Sequence, residues 1–502
     1  MILTPLAVLL ACSRPEDTAA ETLTITAPDG VSVSLGEPTA CAAPRDTVTY
    51  TEVGAEWGLL GSEDASGDHL EGGGLAVGDL DGDGDLDIVT SFTDEPLALY
   101  IQDDGFAVSY ISLPGEQWGQ PSLADLDSDG DLDILLNWEA ARVLWNDGAW
   151  TEKRLPELND LMAGEVIRSV LPGDLDGDGD LDLALALTSP QGPDSRIDRV
   201  AWQEDGSFTV GMLPTEAAGR SAFDAVLFDH DEDGDLDLYV VNDFQEGNVL
   251  WANDGGDFSE ASCSCDVAVG GMGVSLGDYN ADGLADLYVT ATANSVLLEG
   301  MADGNFVDVT AVTGASPLTA PEQMGWGSTW LDHDNDGQLD VLLATGDLWH
   351  AGDDGLPQFD STLHLLAQDD GAFTDVTTDH GLTAAGSFRS VVAADLNGDS
   401  VLDLIATDVR ARPRIYLSDG CTAADWLAVT APPHSTVRLT AGGQTQTRWI
   451  NPDSGYAASS PSEAWLGLGE AAVESLEVIL PDGGVVSITG PLQARRRVVI
   501  TP

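Results

Sequence analysis

The stretch GDLDGDGDLDIV, Gly78 to Val89, recurs along the chain with its aspartates in the same phase. The copies are ADLDSDGDLDIL from Ala124, GDLDGDGDLDLA from Gly173, FDHDEDGDLDLY from Phe228, GDYNADGLADLY from Gly277, LDHDNDGQLDVL from Leu331 and ADLNGDSVLDLI from Ala394. Their first aspartates fall at 79, 125, 174, 229, 278, 332 and 395, spaced by 46, 49, 55, 49, 54 and 63 residues. A period near 50 suits a propeller blade or a solenoid unit, in which each repeat buries its apolar face only against its neighbours.

Between the acidic loops run aromatic or apolar segments broken by a turn, such as VLWNDGAWTEKRL from Val143, VAWQEDGSFTVGML from Val200 and LLAQDDGAFTDVT from Leu365. Asp-Gly flanked by β-branched and aromatic residues signals a hairpin. A strand follows each acidic loop and another, often glycine-rich, precedes it, as in GMGVSLGD from Gly271. Each repeat therefore holds about four short strands, and the chain reads as all-β: a seven-bladed β-propeller over residues 47–420. Glycines in the preceding strand fit the crowding at a propeller axis better than the shorter turns of a β-helix. The last repeat stops at RIYLSDG, Arg414 to Gly420, without its final strand. YTEVGAEWGL from Tyr50 resembles FTDVTTDHGL from Phe373 and is expected to supply that strand, closing the ring and leaving no exposed edge.

In D-x-D-x-D-G-x-x-D, side chains at positions 1, 3, 5 and 9 and a carbonyl at position 7 converge on a hard cation, and oxygen-only ligands fit calcium. The expected ligand sets are Asp79, Asp81, Asp83, Asp85 and Asp87; Asp125, Asp127, Asp129, Asp131 and Asp133; Asp174, Asp176, Asp178, Asp180 and Asp182; and Asp229, Asp231, Asp233, Asp235 and Asp237. Loops 5 to 7 would use Asp278, Asn280, Asp282, Leu284 and Asp286; Asp332, Asp334, Asp336, Gln338 and Asp340; and Asp395, Asn397, Asp399, Val401 and Asp403. Gly84 at position 6 permits the sharp turn, and Leu80 and Leu86, on the other phase, tuck inward. An EF-hand is excluded, since Thr90, Leu185 and Val240 stand where it needs a glutamate and strands follow instead of helices. Up to seven calcium ions would serve as structural pins against carboxylate repulsion of several kcal/mol per pair. The seventh loop, with Asn397 and with Ser400 at the glycine position, is expected to hold its ion most weakly. His230 and His333, at position 2, are expected to face solvent, and Trp118, Trp145, Trp202, Trp251, Trp326 and Trp330 to pack in blade cores.

The balance of 87 acidic to 18 basic residues, a formal charge of -69, excludes nucleic acid as a partner and disfavours anionic membranes. MILTPLAVLLAC resembles the lipobox of bacterial lipoproteins, which implies a signal peptide over residues 1–11, lipidation of Cys12 and a tether over 12–46. Four cysteines remain. Cys263 and Cys265 lie close enough to pair locally, which leaves Cys41 for Cys421, a bond that ring closure makes reasonable; four free thiols are the alternative.

The acidic loops resemble FG-GAP/VCBS repeats, the blades of integrin α-subunit propellers, in which calcium lies on the face opposite the ligand. Residues 421–502 resemble the ASPIC/UnbV domain of cartilage acidic protein-like proteins, through AGGQTQTR, DSGY, LGLG and LEVILPDG. There Leu476, Val478 and Leu480, the Pro481–Gly484 turn, and Val485, Val486 and Ile488 read independently as a β-hairpin. Arg495 to Arg497 read as a solvated strand edge. No H-E-x-x-H pattern or G-x-S-x-G elbow occurs. The expected function is a calcium-stabilised, exported, monomeric surface module, lipid-anchored or otherwise secreted, that binds a protein or polysaccharide. The alternative is a polysaccharide lyase or hydrolase on the same scaffold.

Overall fold

The computed structural model describes residues 6–7, 23–41, 44–45, 47–59, 73–92, 97–103, 107–112, 119–137, 141–148, 150–154, 166–188, 198–204, 206–214, 220–244, 247–318, 323–346, 361–409 and 413–502. Among them the chain is all-β apart from one helical turn, Thr310–Thr313. Cys12 and Trp118 lie outside the described residues.

Seven sheets share one plan: an acidic loop joins the first strand to the second, and two more strands follow in antiparallel order. In the third sheet these are Val166–Gly173, Asp182–Thr188, Arg199–Glu204 and Ser207–Met212. The first two strands of the fourth sheet, Ala222–Phe228 and Asp237–Asn242, are buried at every residue. Continuous apolar runs, rather than alternation, are what a strand covered on both faces requires. First strands lie side by side in chain order, and that of the seventh sheet, Phe388–Ala394, also contacts that of the first, Gly74–Gly78. The seventh sheet takes its fourth strand from near the other end of the chain. Tyr50–Glu52 pairs with Arg414–Ser418, placing Ser418 opposite Tyr50. Beside this seam Cys41 is bonded to Cys421, their Cα atoms 5.9 Å apart. Asp419 there accepts hydrogen bonds from the amide and hydroxyl of Thr49 at 2.8 and 2.9 Å. Cys263 is bonded to Cys265.

In sheets three to seven the first strand slips once in register against the second. A bulge leaves a residue unpaired and re-aims its side chain. The residues so freed include Arg168, Phe223, Met272, Trp326 and Arg389, all buried. Phe223 and Trp326 close on Tyr456, with ring centroids 6.2 and 5.3 Å away. Arg168 lies over the Phe223 ring and Arg389 over Trp326, at 4.6 and 4.0 Å. Backbones approach closely enough that a Cβ on Gly273 would meet the Trp326 carbonyl at 2.7 Å, so glycine alone fits that strand position. Of the other tryptophans expected in cores, Trp251 is fully buried, and Trp145, Trp202 and Trp330 are half-buried.

Tyr456 belongs to the C-terminal unit, whose two sheets share one apolar core that includes Leu427, Val437, Leu466, Val478 and Val498. Val473–Ile479 and Val485–Thr489 form its hairpin. The stretch expected to be a tether is partly folded into this unit. Thr24–Thr26 pairs with Val485–Thr489, and Ser32–Leu35 with Arg496–Thr501, because Leu23 and Ile25 bury against its core. From this unit the segment containing DSGY reaches into the middle of the seven sheets, where Ala458 and Ser459 pair in parallel with Leu75 and Ala76.

Tyr456→Ala is expected to lower unfolding free energy by about 3–5 kcal/mol, the range for emptying a buried aromatic site. Urea unfolding followed by tryptophan fluorescence measures this. A loss within 0.5 kcal/mol would show that the aromatic cluster does not tie the C-terminal unit to the sheets.

Candidate metal centres

Each acidic loop is folded by its own carboxylates. In loop 1 the Asp79 oxygens accept from the amides of Gly82 and Gly84 at 2.8 and 3.1 Å, and Asp83 accepts from the amide of Asp85 at 2.9 Å. The position 5 to position 7 bond recurs in every loop, at Asp129, Asp178, Asp233, Asp282, Asp336 and Asp399. Positions 4 and 6 take positive φ in all seven loops. Position 6 is glycine in six of them, and Ser400 (φ 71°) keeps the turn in the seventh, where its amide donates to Asp395 at 3.0 Å. The seventh loop thus retains the shared backbone.

Position 9 does something else. Asp87 is fully buried, and its two oxygens accept from the amides of Leu80 at position 2 and Gln102 on the third strand, both at 2.8 Å. The same pair of bonds occurs at Asp133, Asp182 and Asp237. It recurs at Asp286, Asp340 and Asp403. This carboxylate therefore clips the loop to the sheet. Burial outweighs the hydrogen bonds: Asp133 and Asp182 are pushed up to about 6, Asp87 to about 7, and Asp286 and Asp403 to about 8.

Carboxylate oxygens of Asp79, Asp81 and Asp87 lie within 4.8 Å of one another, as do those of Asp125, Asp127 and Asp133 and of Asp174, Asp176 and Asp182. Positions 1, 3 and 9 are thus brought together, while position 5 is turned along the loop toward position 7. An all-oxygen, anionic donor set, buried at position 9 and open to solvent at position 3, fits a hard divalent cation, which positions 1, 3, 5 and 9 would hold. In loops 4 and 6 the corresponding clusters include His230 with Asp231 and Asp237, and His333 with Asp334 and Asp340. These histidines do not face solvent as expected. Position 2 points into the sheet, where Leu80, Leu126, Leu175 and Leu396 are buried, so the imidazoles follow. Their Nδ1 atoms sit 2.7 and 2.5 Å from Asp237 and Asp340. Burial lowers the His333 pKa, but Asp340 and the loop acids outweigh it and push the imidazole up to about 9.

A set of residues not singled out in the sequence links neighbouring sheets. The side-chain amides of Asn146, Gln203, Asn253 and Gln368 donate to the position 2 carbonyls of Leu80, Leu126, Leu175 and Tyr279, each in the preceding sheet. Gln102 of the first sheet donates to Leu396 of the seventh at 3.1 Å. The signal was the Asn or Gln before each hairpin turn, hidden inside segments that read simply as hairpins. Arg495 to Arg497 are likewise not a free edge. Arg495 pairs with Asp425, and Arg497 with Glu463 and, in loop 7, Asp395, and Arg496–Thr501 is an interior strand held between Ser32–Leu35 and Asp425–Thr430. A cavity of about 420 Å³ opens between loop 4, the fifth sheet and the C-terminal unit, lined by His230, Glu232, Asn305, Phe306, Arg438 and Trp449.

The raised carboxyls fix the sign of the pH dependence. A group that holds its proton more tightly when folded stabilises fully below its unfolded pKa, near 4, and loses that contribution as pH rises through its folded value. Metal-free protein is therefore expected to melt at lower temperature at pH 8 than at pH 5.5, and a saturating divalent cation to raise the melting temperature more at pH 8. Calorimetry at the two pH values measures both, and a metal-free melting temperature that rises with pH contradicts the assignment.

Family models match in two places: an FG-GAP-like repeat over residues 79–136, 174–240, 229–289 and 278–343, and ASPIC and UnbV over residues 434–502. Among curated proteins, mouse cartilage acidic protein 1 is 26% identical over 272 residues, covering 48% of this chain and 39% of the relative. The human protein is 24% identical over 279 residues, covering 43% and 42%. The chain spans about two fifths of the length of these relatives. A solved lectin from Agrocybe aegerita, studied for specific recognition of non-reducing terminal N-acetylglucosamine, aligns at a TM-score of 0.43 with 17% identity, over 62% of this chain and 81% of its own. That likeness is too slight to bear on fold or function. The chain carries FG-GAP-like repeats followed by an ASPIC and UnbV region, with weak similarity to cartilage acidic protein 1.

Proposed function

We propose that the seven sheets are the blades of a propeller closed by Tyr50–Glu52, that its acidic loops bind calcium, and that the whole is an exported binding or adhesion module. The observation that carries this reading is the buried position 9 aspartate, repeated seven times with equivalent amide partners, beside all-carboxylate clusters in loops 1 to 3 and clusters that include a histidine in loops 4 and 6. Closure is supported by the contact between the first and seventh sheets and by the Gln102 to Leu396 bond. Sites of this kind at extracellular affinities, about 10⁻⁴ to 10⁻³ M, load outside cells. No helix among the described residues is long and apolar enough to cross a membrane. The proposed surface attachment is through a lipidated Cys12, on the lipobox resemblance alone.

The ligand is a protein or a polysaccharide. The concave site described above serves as its seat, beside loop 4 and so not on the face opposite the acidic loops that the integrin resemblance implies, because Trp449 and Phe306 offer ring surface beside Arg438, Glu232 and Asn305. Calcium at about 100 times its dissociation constant adds about 2.7 kcal/mol per site, so it is expected to raise the melting temperature by many degrees. Chelation that leaves the melting temperature unchanged sinks the calcium reading. Glycan arrays and surface-protein capture test the ligand class, and Trp449→Ala is expected to weaken binding at least about tenfold. Accumulation of shortened polysaccharide would instead favour an enzyme.

A further inference from the structure

Position 1 of the acidic loops divides them into two groups. Asp79, Asp125, Asp174 and Asp229 are half-buried, whereas Asp278, Asp332 and Asp395 are 2%, 1% and 4% exposed. The cover over the last three is the C-terminal unit. The Gly467 amide donates to Asp332 Oδ2 at 3.0 Å, and Trp465 Nε1 donates to Asn335 in the same loop at 2.7 Å. A Cβ on Gly467 would meet Asp332 Oδ2 at 2.1 Å, which explains the first glycine of LGLG. Two cations arrive with this cover. Arg497 Nη2 donates to Asp395 Oδ2 at 3.1 Å while its Nε holds Glu463 at 2.8 Å. Arg448 is buried within electrostatic reach of Asp278 and Asp332.

Acid content follows the same division. Loops 1 to 4 carry aspartate at all of positions 1, 3, 5, 7 and 9, while loops 5, 6 and 7 keep three, four and three. Even so, the seventh loop is not filled by its arginine. Asp395 Oδ1 is buried with no hydrogen-bond partner, while Oδ2 takes the Ser400 amide and Arg497. A bare buried carboxylate oxygen is costly, and a cation would supply the partner it lacks.

Resting on the calcium reading, we propose that the seven loops form two affinity classes, four strong and three weak, and that the arginines of the C-terminal unit set the difference. Arg497 and the seventh cation share one carboxylate, Oδ2 for the guanidinium and Oδ1 for the metal, and repel each other across it. Arg448, whose Nη2 donates to the Gly337 carbonyl of loop 6 at 3.4 Å, shares no carboxylate but adds its buried positive charge beside loop 6. Linkage makes the effect reciprocal: calcium in the covered loops loosens the hold of the C-terminal unit.

Equilibrium dialysis of the full chain with radioactive calcium tests this. The wild type is expected to fill four sites at least about tenfold more tightly than three others. Asp83→Ala removes a strong site and Asp399→Ala a weak one, both being exposed side chains. Arg497→Gln is expected to tighten one weak site at least about tenfold. Seven sites of one class, loss of a strong site in Asp399→Ala, or an unchanged or weakened site in Arg497→Gln overturns the proposal. If Arg497→Gln does not fold, the two alanine variants still decide which loop belongs to which class. No calcium binding in any variant overturns the calcium reading itself, and this proposal with it.

Discussion

The structure depends on one repeated interaction: a buried aspartate whose two oxygens take one amide from its own loop and one from the third strand of its sheet. Each such bond to an ionised carboxylate contributes about 1.5–3 kcal/mol, but only while the group stays charged. Burial works against that charge, as the upward shifts of Asp87, Asp286 and Asp403 show. The remaining acids of each loop worsen the problem by repulsion. In the proposed reading they would hold a divalent cation that favours the ionised form and with it both hydrogen bonds, which would tie metal binding to the folding of each sheet. The motif repeats at the period of the sheet because every sheet needs its own clip.

Two further devices join the sheets to one another. Asparagine and glutamine amides reach from one sheet to the position 2 carbonyl of the sheet before it, so the clipped loop is also the contact point for its neighbour. In the middle, five register slips turn Arg168, Phe223, Met272, Trp326 and Arg389 toward a segment supplied from outside the repeats. Stacked arginines and rings fill that space around Tyr456. The C-terminal unit therefore does more than follow the repeats in sequence. It plugs them and lays two arginines over their acidic loops.

Much of this was legible in the sequence. Strand content, the repeat, the hairpin of residues 473–489 and the clustering of the loop aspartates came from period-two alternation, turn residues and spacing, which are local signals. What stayed hidden depends on non-local geometry. Nothing in GMGVSLG or GWGSTWL announces a bulge, so the inward turn of Met272 and Trp326 had no sequence signal. His230 and His333 read as surface residues because histidine is polar, although their phase matched Leu80 and Leu126. The strands at Thr24–Thr26 and Ser32–Leu35 lay in a stretch judged by its distance from the repeats, yet they pair with residues more than 450 positions away. Arg497 looked solvated because its partner, Asp395, is 102 residues earlier.

The formal charge of -69 is concentrated in part in the seven acidic loops. The claim that organises the whole account is that a cation holds the buried aspartate clips closed. Amide hydrogen exchange reads those clips directly, at the amides of Leu80, Gln102, Tyr279 and Gly300 among others. The account predicts that calcium slows exchange at these amides well beyond its effect on the strands of the C-terminal unit. Equal exchange at the clip amides with and without calcium would contradict it.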